Sequence, residues 1–396
     1  MLGVEDERRP IGGALWEHKP SSSGSDASSF GDLPCIGSWA CYESSEYRHR
    51  SLSSNFMPRS NDHSFSLRPR RLRRTENIRR VARETRLSTD DLIAPQFVMP
   101  GENEHEEVSS MPDTYRYTID RLVEKARILD DLGVPAIALF PAIPDDKKTP
   151  DAAYALEPDH LYPNAIRALK DAVPDLMVIT DTALDPYNSD GHDGIVRDGR
   201  IVNDATINVM CEMAVLHAEA GADIVAPSDM MDGRVGAIRD ALDTAGYADV
   251  AVLSYTAKYS SSYYGPFRDA LDSAPKTEEK VQEKEIPDNK DTYQMDPANG
   301  EEAVRELMLD LDEGADMAMV KPALPYLDVI HRVKEHSDVP VAAYNVSGEY
   351  AMITAASQNG WLDRKECALE ALTGIRRAGA DVILTYFAED AARWLS

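Results

Sequence analysis

The chain has 396 residues, 43% hydrophobic and 28% charged, the balance of a globular protein large enough for one barrel-sized domain plus an extension. Lys and Arg number 42 against 69 Asp and Glu, and the resulting formal charge of −27 argues against a nucleic-acid or anionic-membrane binder. No apolar run approaches the ~20 residues of a membrane-spanning helix, and four scattered cysteines (Cys35, Cys41, Cys211, Cys367) without a CxxC pair exclude a disulfide scaffold and favour a reducing compartment.

Residues 1–60 are rich in Ser, Gly, Asn and Arg and carry no sustained hydrophobic period, so they are expected to be a disordered extension. They contain no continuous apolar core of a secretory signal, and Glu5, Asp6, Glu7 and Asp26 argue against a transit peptide. Met57, just before the globular part, is a candidate translation start. Residues 61–89 form a basic arm, with Arg68, Arg70, Arg71, Arg73, Arg74, Arg79, Arg80, Arg83 and Arg86. On so acidic a chain, this arm reads better as a contact to a neighbouring acidic subunit than as a nucleic-acid grip.

From residue 90 to 396 the sequence is repetitive. Short apolar, β-branched runs recur at 92–99, 134–140, 176–179, 223–226, 250–255, 317–320, 339–344 and 382–386. Amphipathic stretches of helical length separate them, among them 118–132, 205–220, 301–313 and 366–378. Three helix-to-strand joints share one pattern: Gly221-Ala222-Asp223, Gly314-Ala315-Asp316 and Gly379-Ala380-Asp381. Runs apolar on both faces suit a parallel sheet covered by helices, and eight such units predict an α/β fold of the TIM (β/α)8 barrel type. A doubly wound sheet is the alternative.

A barrel places its chemistry at the C-terminal ends of its strands. There the fifth run closes on Lys258 and the sixth on Lys321. A lysine at the end of a buried strand is costly to desolvate, and burial beside a second cation frees the amine that attacks a ketone to form a Schiff base. Either lysine alone could instead reach solvent or pair with an acid; two at matching positions favour chemistry. Tyr263-Tyr264-Gly265-Pro266-Phe267-Arg268 and the charged stretch 276–291 then read as a lid, with Arg268 and Lys290 offering positive charge to an anionic substrate. The third run opens into Asp181, Asp185, Asp190 and Asp193 among glycines, which suits either a hard cation or ordinary turn caps. Asn345-Val346-Ser347 matches a glycosylation sequon but ends an apolar strand, and is discounted.

Lys258 within SYTAKYSSSYYGPFRDA, Lys321 within MVKPALPYLDVI and Ser347 within YNVSGEYAM together resemble the porphobilinogen synthase (delta-aminolevulinic acid dehydratase) family, as do DTALDPYNSDGHDG and SDMMDGRVGAIRDAL. The resemblance runs in order from about residue 68 to 387 and implies an enzyme that condenses two 5-aminolevulinate molecules into porphobilinogen with loss of two waters, early in tetrapyrrole synthesis. It implies Schiff bases at Lys321, on the propionate side, and at Lys258, on the acetate side. Arg268 and Lys290 would hold the second substrate's carboxylate, and Ser347 and Tyr386 the first's. It further implies a TIM barrel whose N-terminal arm embraces another subunit, as a homo-octamer.

Zinc-using members carry three cysteines where this chain has Ala183, Asp185 and Asp193, so thiolate-bound zinc is not expected. The sequence is similar to the aspartate-rich, magnesium-dependent branch, which implies Mg2+ away from the chemistry through Glu306. Whether Asp185 and Asp193 also hold a cation, or only orient water and the substrate amine, stays open. The expected compartment is the cytoplasm, or a plastid where the source has one. Two other readings compete: a class I aldolase with one imine lysine, which leaves the second lysine unexplained, and a non-catalytic protein whose arginine arm meets acidic partners.

Overall fold

Every one of the eight apolar runs forms a strand, and the eight pair side by side in parallel. In the computed structural model, which describes residues 67–271, 273 and 285–396, the chain divides into units 1–69 and 70–396. The expected disordered extension 1–60, Met57, the start of the arm and most of the lid stretch lie outside the described residues.

In chain order the second unit begins with α1 (Glu76–Ala82), β1 (Leu92–Val98), the hairpin β2 (His105–Glu107) and β3 (Tyr115–Tyr117), α2 (Ile119–Asp131) and β4 (Ala136–Pro141). Next come α3 (Leu161–Ala172), β5 (Met177–Thr182), the short ribbon β6 (Val196–Arg197) and β7 (Arg200–Ile201), α4 (Asn203–Glu219) and β8 (Ile224–Pro227). α5 (Arg234–Ala245), β9 (Ala251–Lys258), α6 (Gly265–Leu271), α7 (Glu302–Asp312) and β10 (Met317–Lys321) come after these. The chain ends with α8 (Leu327–His336), β11 (Val341–Asn345), α9 (Ser347–Gln358), α10 (Arg364–Ala378), β12 (Val382–Thr385) and α11 (Ala388–Leu395).

The strands pair in the order β1-β4-β5-β8-β9-β10-β11-β12, and β12 returns to β1 with Leu92 opposite Ile383. That closure makes the sheet a TIM barrel and excludes the doubly wound alternative, whose edge strands never meet. Strands such as β4 and β11 are buried at every residue because one face fills the barrel and the other packs on helices. The helices meet them with single apolar stripes: Leu122, Ala126 and Leu129 of α2, or Ala368, Leu372 and Ile375 of α10, at helical spacing. Each such Leu or Ile stabilises the fold by roughly 1.5–3 kcal/mol when fully buried.

The repeated Gly-Ala-Asp joints have one structural meaning. Asp223, Asp316 and Asp381 each donate their backbone N–H to a valine carbonyl of the preceding barrel strand: Val178, Val252 and Val341. Each side chain in turn accepts the N–H of that same valine, at 2.7, 2.8 and 2.8 Å. The repeat therefore fastens neighbouring strands at the end of the barrel opposite the lysines. Gly379 of the third joint stands at φ +127°, and a Cβ there would lie 2.7 Å from Lys334 Cβ, so only glycine fits.

No described residue of the basic arm is fully buried, although Leu87 near its end packs against the barrel core. No residue of α1 is buried, Val81 is 84% exposed, and the helix is capped only by Thr75, whose side chain accepts from Ile78 N. No helix among the described residues is long and apolar enough to cross a membrane.

Candidate active site

β9 and β10 deliver Lys258 and Lys321 as direct cross-strand partners. Their register is not uniform. Ala318 pairs with Ser254, but Val320 pairs with Ala257, so β9 spends one extra residue between them. Without that bulge Lys321 would face Ala257, and because side chains alternate, the two lysines would point to opposite faces. The buried Arg234 guanidinium donates to Ser254 Oγ at 3.1 Å and to the Tyr255 carbonyl at 3.3 Å, holding β9 where the bulge occurs. Asp229 and Asp310 flank that guanidinium at 3.6 and 3.8 Å.

The two amines, 5% and 6% exposed, sit in different surroundings. Lys321 Nζ lies over four rings, with centroids at 4.7 Å (Tyr344), 5.0 Å (Tyr255), 5.1 Å (Phe267) and 5.2 Å (Tyr264), and no carboxylate is within ion-pair distance among the described residues. Burial, then the neighbouring Lys258, bring its pKa down to about 7. Lys258 instead donates to Asp193 Oδ1 at 3.1 Å and to the Ser228 carbonyl. Burial alone would lower it, but Asp193, Asp185 and Asp181 outweigh burial and hold it above its ordinary value. One amine is thus poised neutral and the other is held as an ammonium.

Asp193 organises the second half of the site. Its Oδ2 accepts from Lys290 Nζ at 2.9 Å and from the Tyr293 hydroxyl at 2.8 Å, both on the chain beyond the undescribed part of the lid stretch. Burial would raise this carboxyl, but Lys258 and Lys290 outweigh it and hold it well below the carboxylate range. Asp185 stands 3.7 Å from Lys290. Asp181, whose Oδ1 has no hydrogen-bond partner, is pushed up to about 7 by burial and by Asp185. Buried His192 touches Tyr293 Oη with Nδ1 at 3.1 Å and the Pro287 carbonyl with Nε2 at 2.9 Å.

The remaining expected residues fall around this centre. Ser347 Oγ, buried at the start of α9, accepts from Phe267 N at 3.0 Å, so it latches the segment that supplies one ring of the Lys321 cage. Tyr386 Oη lies 3.0 Å from the hydroxyl of Tyr344, another cage ring. Arg268 is half-buried on α6, and no carboxylate among the described residues pairs with it. Of the lid stretch, 285–291 is described and its Lys290 closes on Asp193; residues 274–284 are outside the described residues. Asn345 of the sequon is fully buried.

The oxygens of Asp193 are taken by two ammoniums and a phenol, and Asp185 faces Lys290, so this donor set as arranged does not fit a divalent cation. No group of three or more His, Cys, Asp or Glu is placed to hold a metal among the described residues. Glu306 lies away from the lysines, half-buried in a cleft of about 710 Å3 that Glu302 and Asp232 also line. Burial raises its carboxyl, Arg234 opposes, and Asp310, Glu302 and Asp232 raise it further. Such an excess of carboxylate suits a hard cation that keeps most of its waters.

Several residues at the centre carry no role that the sequence pattern assigns: Tyr255 and Tyr344 of the cage, Ser228, Tyr293, and the buried Gln294 with its unpartnered Oε1; Tyr264, Phe267 and Asp181 stand only in the expected lid and acidic run. Tyr344 and Tyr255 look like ordinary strand residues, and only the barrel's closure turns them toward Lys321. The aspartates and the lid aromatics stand in motifs visible along the chain, and their partners come from distant loops.

The family model described as delta-aminolevulinic acid dehydratase matches residues 66–394. A chloroplastic delta-aminolevulinic acid dehydratase of Chlamydomonas reinhardtii is 51% identical over 356 residues, 88% of this chain and 90% of that relative. One from Synechococcus elongatus is 52% identical over 333 residues, 83% of this chain and 98% of the relative. The crystal structure of the Toxoplasma gondii ME49 enzyme, in complex with its product porphobilinogen, superposes with a TM-score of 0.80 at 46% identity, covering 84% of this chain and 92% of that one.

Proposed function

We propose, from the premise that this chain belongs to the delta-aminolevulinic acid dehydratase family, that each of its paired lysines captures one substrate as an imine. The chain condenses two molecules of 5-aminolevulinate into porphobilinogen with loss of two waters, an early step of tetrapyrrole synthesis. The observation that carries the mechanism is the direct pairing of Lys321 with Lys258.

Lys321 reacts first, because a pKa brought down to about 7 leaves a large share of its amine neutral near physiological pH, while Lys258 is held charged. It adds to the ketone of one substrate, and the carbinolamine loses water to give an iminium whose charge the four rings tolerate. Ser347 and Tyr386 bind that substrate's carboxylate. Lys258 yields its proton to a neighbouring carboxylate before it captures the second ketone, with Asp193 in contact and Asp181 close by. Arg268 and Lys290 grip the second carboxylate, Lys290 leaving Asp193 to do so. Two anchors and two distinct carboxylate sites hold identical molecules in different orientations, which converts their encounter into an oriented reaction. The carbon beside an iminium then loses a proton and attacks its partner, and each imine returns its lysine as the ring closes.

Glu306 would hold Mg2+, with most of its waters retained, and the ion would offset the carboxylate excess of that cleft; thiolate-bound zinc is not expected where Ala183, Asp185 and Asp193 stand. The exposed arginine arm docks on another copy of the chain in a homo-octamer, and the enzyme works in the cytoplasm or in a plastid; relatives of both bacterial and chloroplastic description support the latter pair. Purified protein given 5-aminolevulinate, with Mg2+, Zn2+ or chelator, is assayed for pyrrole with Ehrlich's reagent. Pyrrole formed in Mg2+ and lost in chelator is expected. Well-folded protein that makes none, or that needs zinc, overturns the reading.

A further inference from the structure

Lys321, Ser347 and Tyr386 stand at the C-terminal ends of β10, β11 and β12 or just beyond them, and one buried carboxylate ties the three connections together. Glu349, at the third position of α9, is completely buried. Its Oε1 accepts from the backbone N–H groups of Ala323 and Leu324, at 3.1 and 2.8 Å, in the loop that leaves Lys321. Its Oε2 accepts from Val346 N at 2.9 Å, beside Ser347, and from Asn345 Nδ2 at 2.7 Å. Asn345 Oδ1 passes the link on, accepting from Thr385 Oγ1 at 2.9 Å, and Thr385 Oγ1 accepts from Phe387 N at 3.2 Å, bracketing Tyr386.

No Lys, Arg or His lies within ion-pair distance of Glu349 among the described residues, so burial pushes its carboxyl up to about 7 and only the dipoles of its four donors favour the charged form. A buried carboxylate without a cation is expensive, and helix-capping alone needs only one of its four bonds. The other three reach out of α9 into the chain on either side of the expected first-substrate residues.

We propose that Glu349 is a positioning residue for the first-substrate half of the site, holding the Lys321, Ser347 and Tyr386 loops in one arrangement. All four of its partners are donors, so an ionised carboxylate satisfies them and an amide cannot: glutamine presents N–H to two N–H groups. The loss falls on the alignment of the amine with the carboxylate contacts, which governs substrate capture.

This rests on the imine reading above, and the test separates the two. Steady-state pyrrole formation and borohydride trapping of the Lys321 adduct are measured in wild type, Glu349→Gln, Thr385→Val and Leu242→Ala, the last removing a buried residue of α5 outside this network. Glu349→Gln should raise KM for 5-aminolevulinate and slow Lys321 trapping by about tenfold or more, and Thr385→Val, which cuts only the β12 branch, by about threefold. Leu242→Ala should lower the melting temperature while leaving KM and trapping unchanged, because fold destabilisation by itself does not misplace the loops. If Glu349→Gln fails to fold, Thr385→Val decides. Wild-type KM and trapping in the folded network variants, or an equal KM rise in Leu242→Ala, overturns the proposal. A wild-type protein that forms no pyrrole or no Lys321 adduct overturns the underlying reading instead.

Discussion

Lys258 and Lys321 stand opposite one another across β9 and β10 only because β9 carries one extra residue before them. The bulge turns two strand-end lysines into neighbours on one face, and Arg234 holds the β9 backbone at Tyr255. Removing either amine, or changing the charges around the pair, has measurable consequences.

Lys321→Ala should lower pyrrole formation by at least about 1000-fold, the scale of a lost nucleophile, while circular dichroism and melting stay close to wild type. Trapping with borohydride and peptide mapping should place the first adduct on Lys321. Appreciable turnover in the variant would contradict the assigned role.

Capture of substrate at Lys321 should track a pKa of about 7. Only the neutral amine attacks, so its fraction and the trapping rate rise as pH increases through 7 and level off above. An ordinary lysine near 10.4 would have less than about 0.1% free amine at pH 7. A trapping rate still climbing tenfold per unit between pH 8 and 10 would show that burial does not depress this group.

Asp193→Asn should leave Lys258 and Lys290 buried without the carboxylate that joins them. Removing one partner of a buried ion pair costs roughly 3–5 kcal/mol, part of which is recovered here if Lys258 deprotonates. Denaturant unfolding should show the loss, and the second-substrate step should slow more than trapping at Lys321. Unchanged stability and turnover would show that the pairing carries neither.

Deleting the arm through Arg86 should shrink the assembly without unfolding the barrel, since no residue of α1 is buried in its own subunit. Sedimentation velocity and melting report the two effects separately. An assembly of unchanged size would remove the arm's proposed role.

Asp381→Ala should cost about 1–3 kcal/mol at the far end of the barrel, by leaving Val341 N–H unsatisfied and removing the partly exposed Lys334 ion pair. KM should not change. A large catalytic effect there would mean that the two ends of the barrel are coupled.

Much of the molecule is legible in the chain. The eight strands fall within a few residues of the apolar runs because a strand buried on both faces must be apolar throughout, and that pattern is local. The Gly-Ala-Asp joints are visible as a repeat, but that each aspartate grips the valine of the neighbouring strand depends on which strands meet. Likewise Ser347 looks like a substrate contact and Glu349 like nothing at all, although Glu349 makes four hydrogen bonds and links three loops. Its partners lie 25 or 26 residues away, in Ala323 and Leu324, as well as beside it.

By itself the sequence determined the fold class and the placement of Lys258 and Lys321 at the C-terminal ends of two strands, since both rest on short-range pattern and residue type. Tertiary structure decided that the amines share a face, that one is caged by rings and near neutrality while the other is held charged by Asp193, and that the expected metal carboxylates at the centre are engaged by ammoniums. Those outcomes depend on burial and on charges brought together from remote loops, and neither desolvation nor a through-space ion pair leaves a mark in the order of residues along a chain.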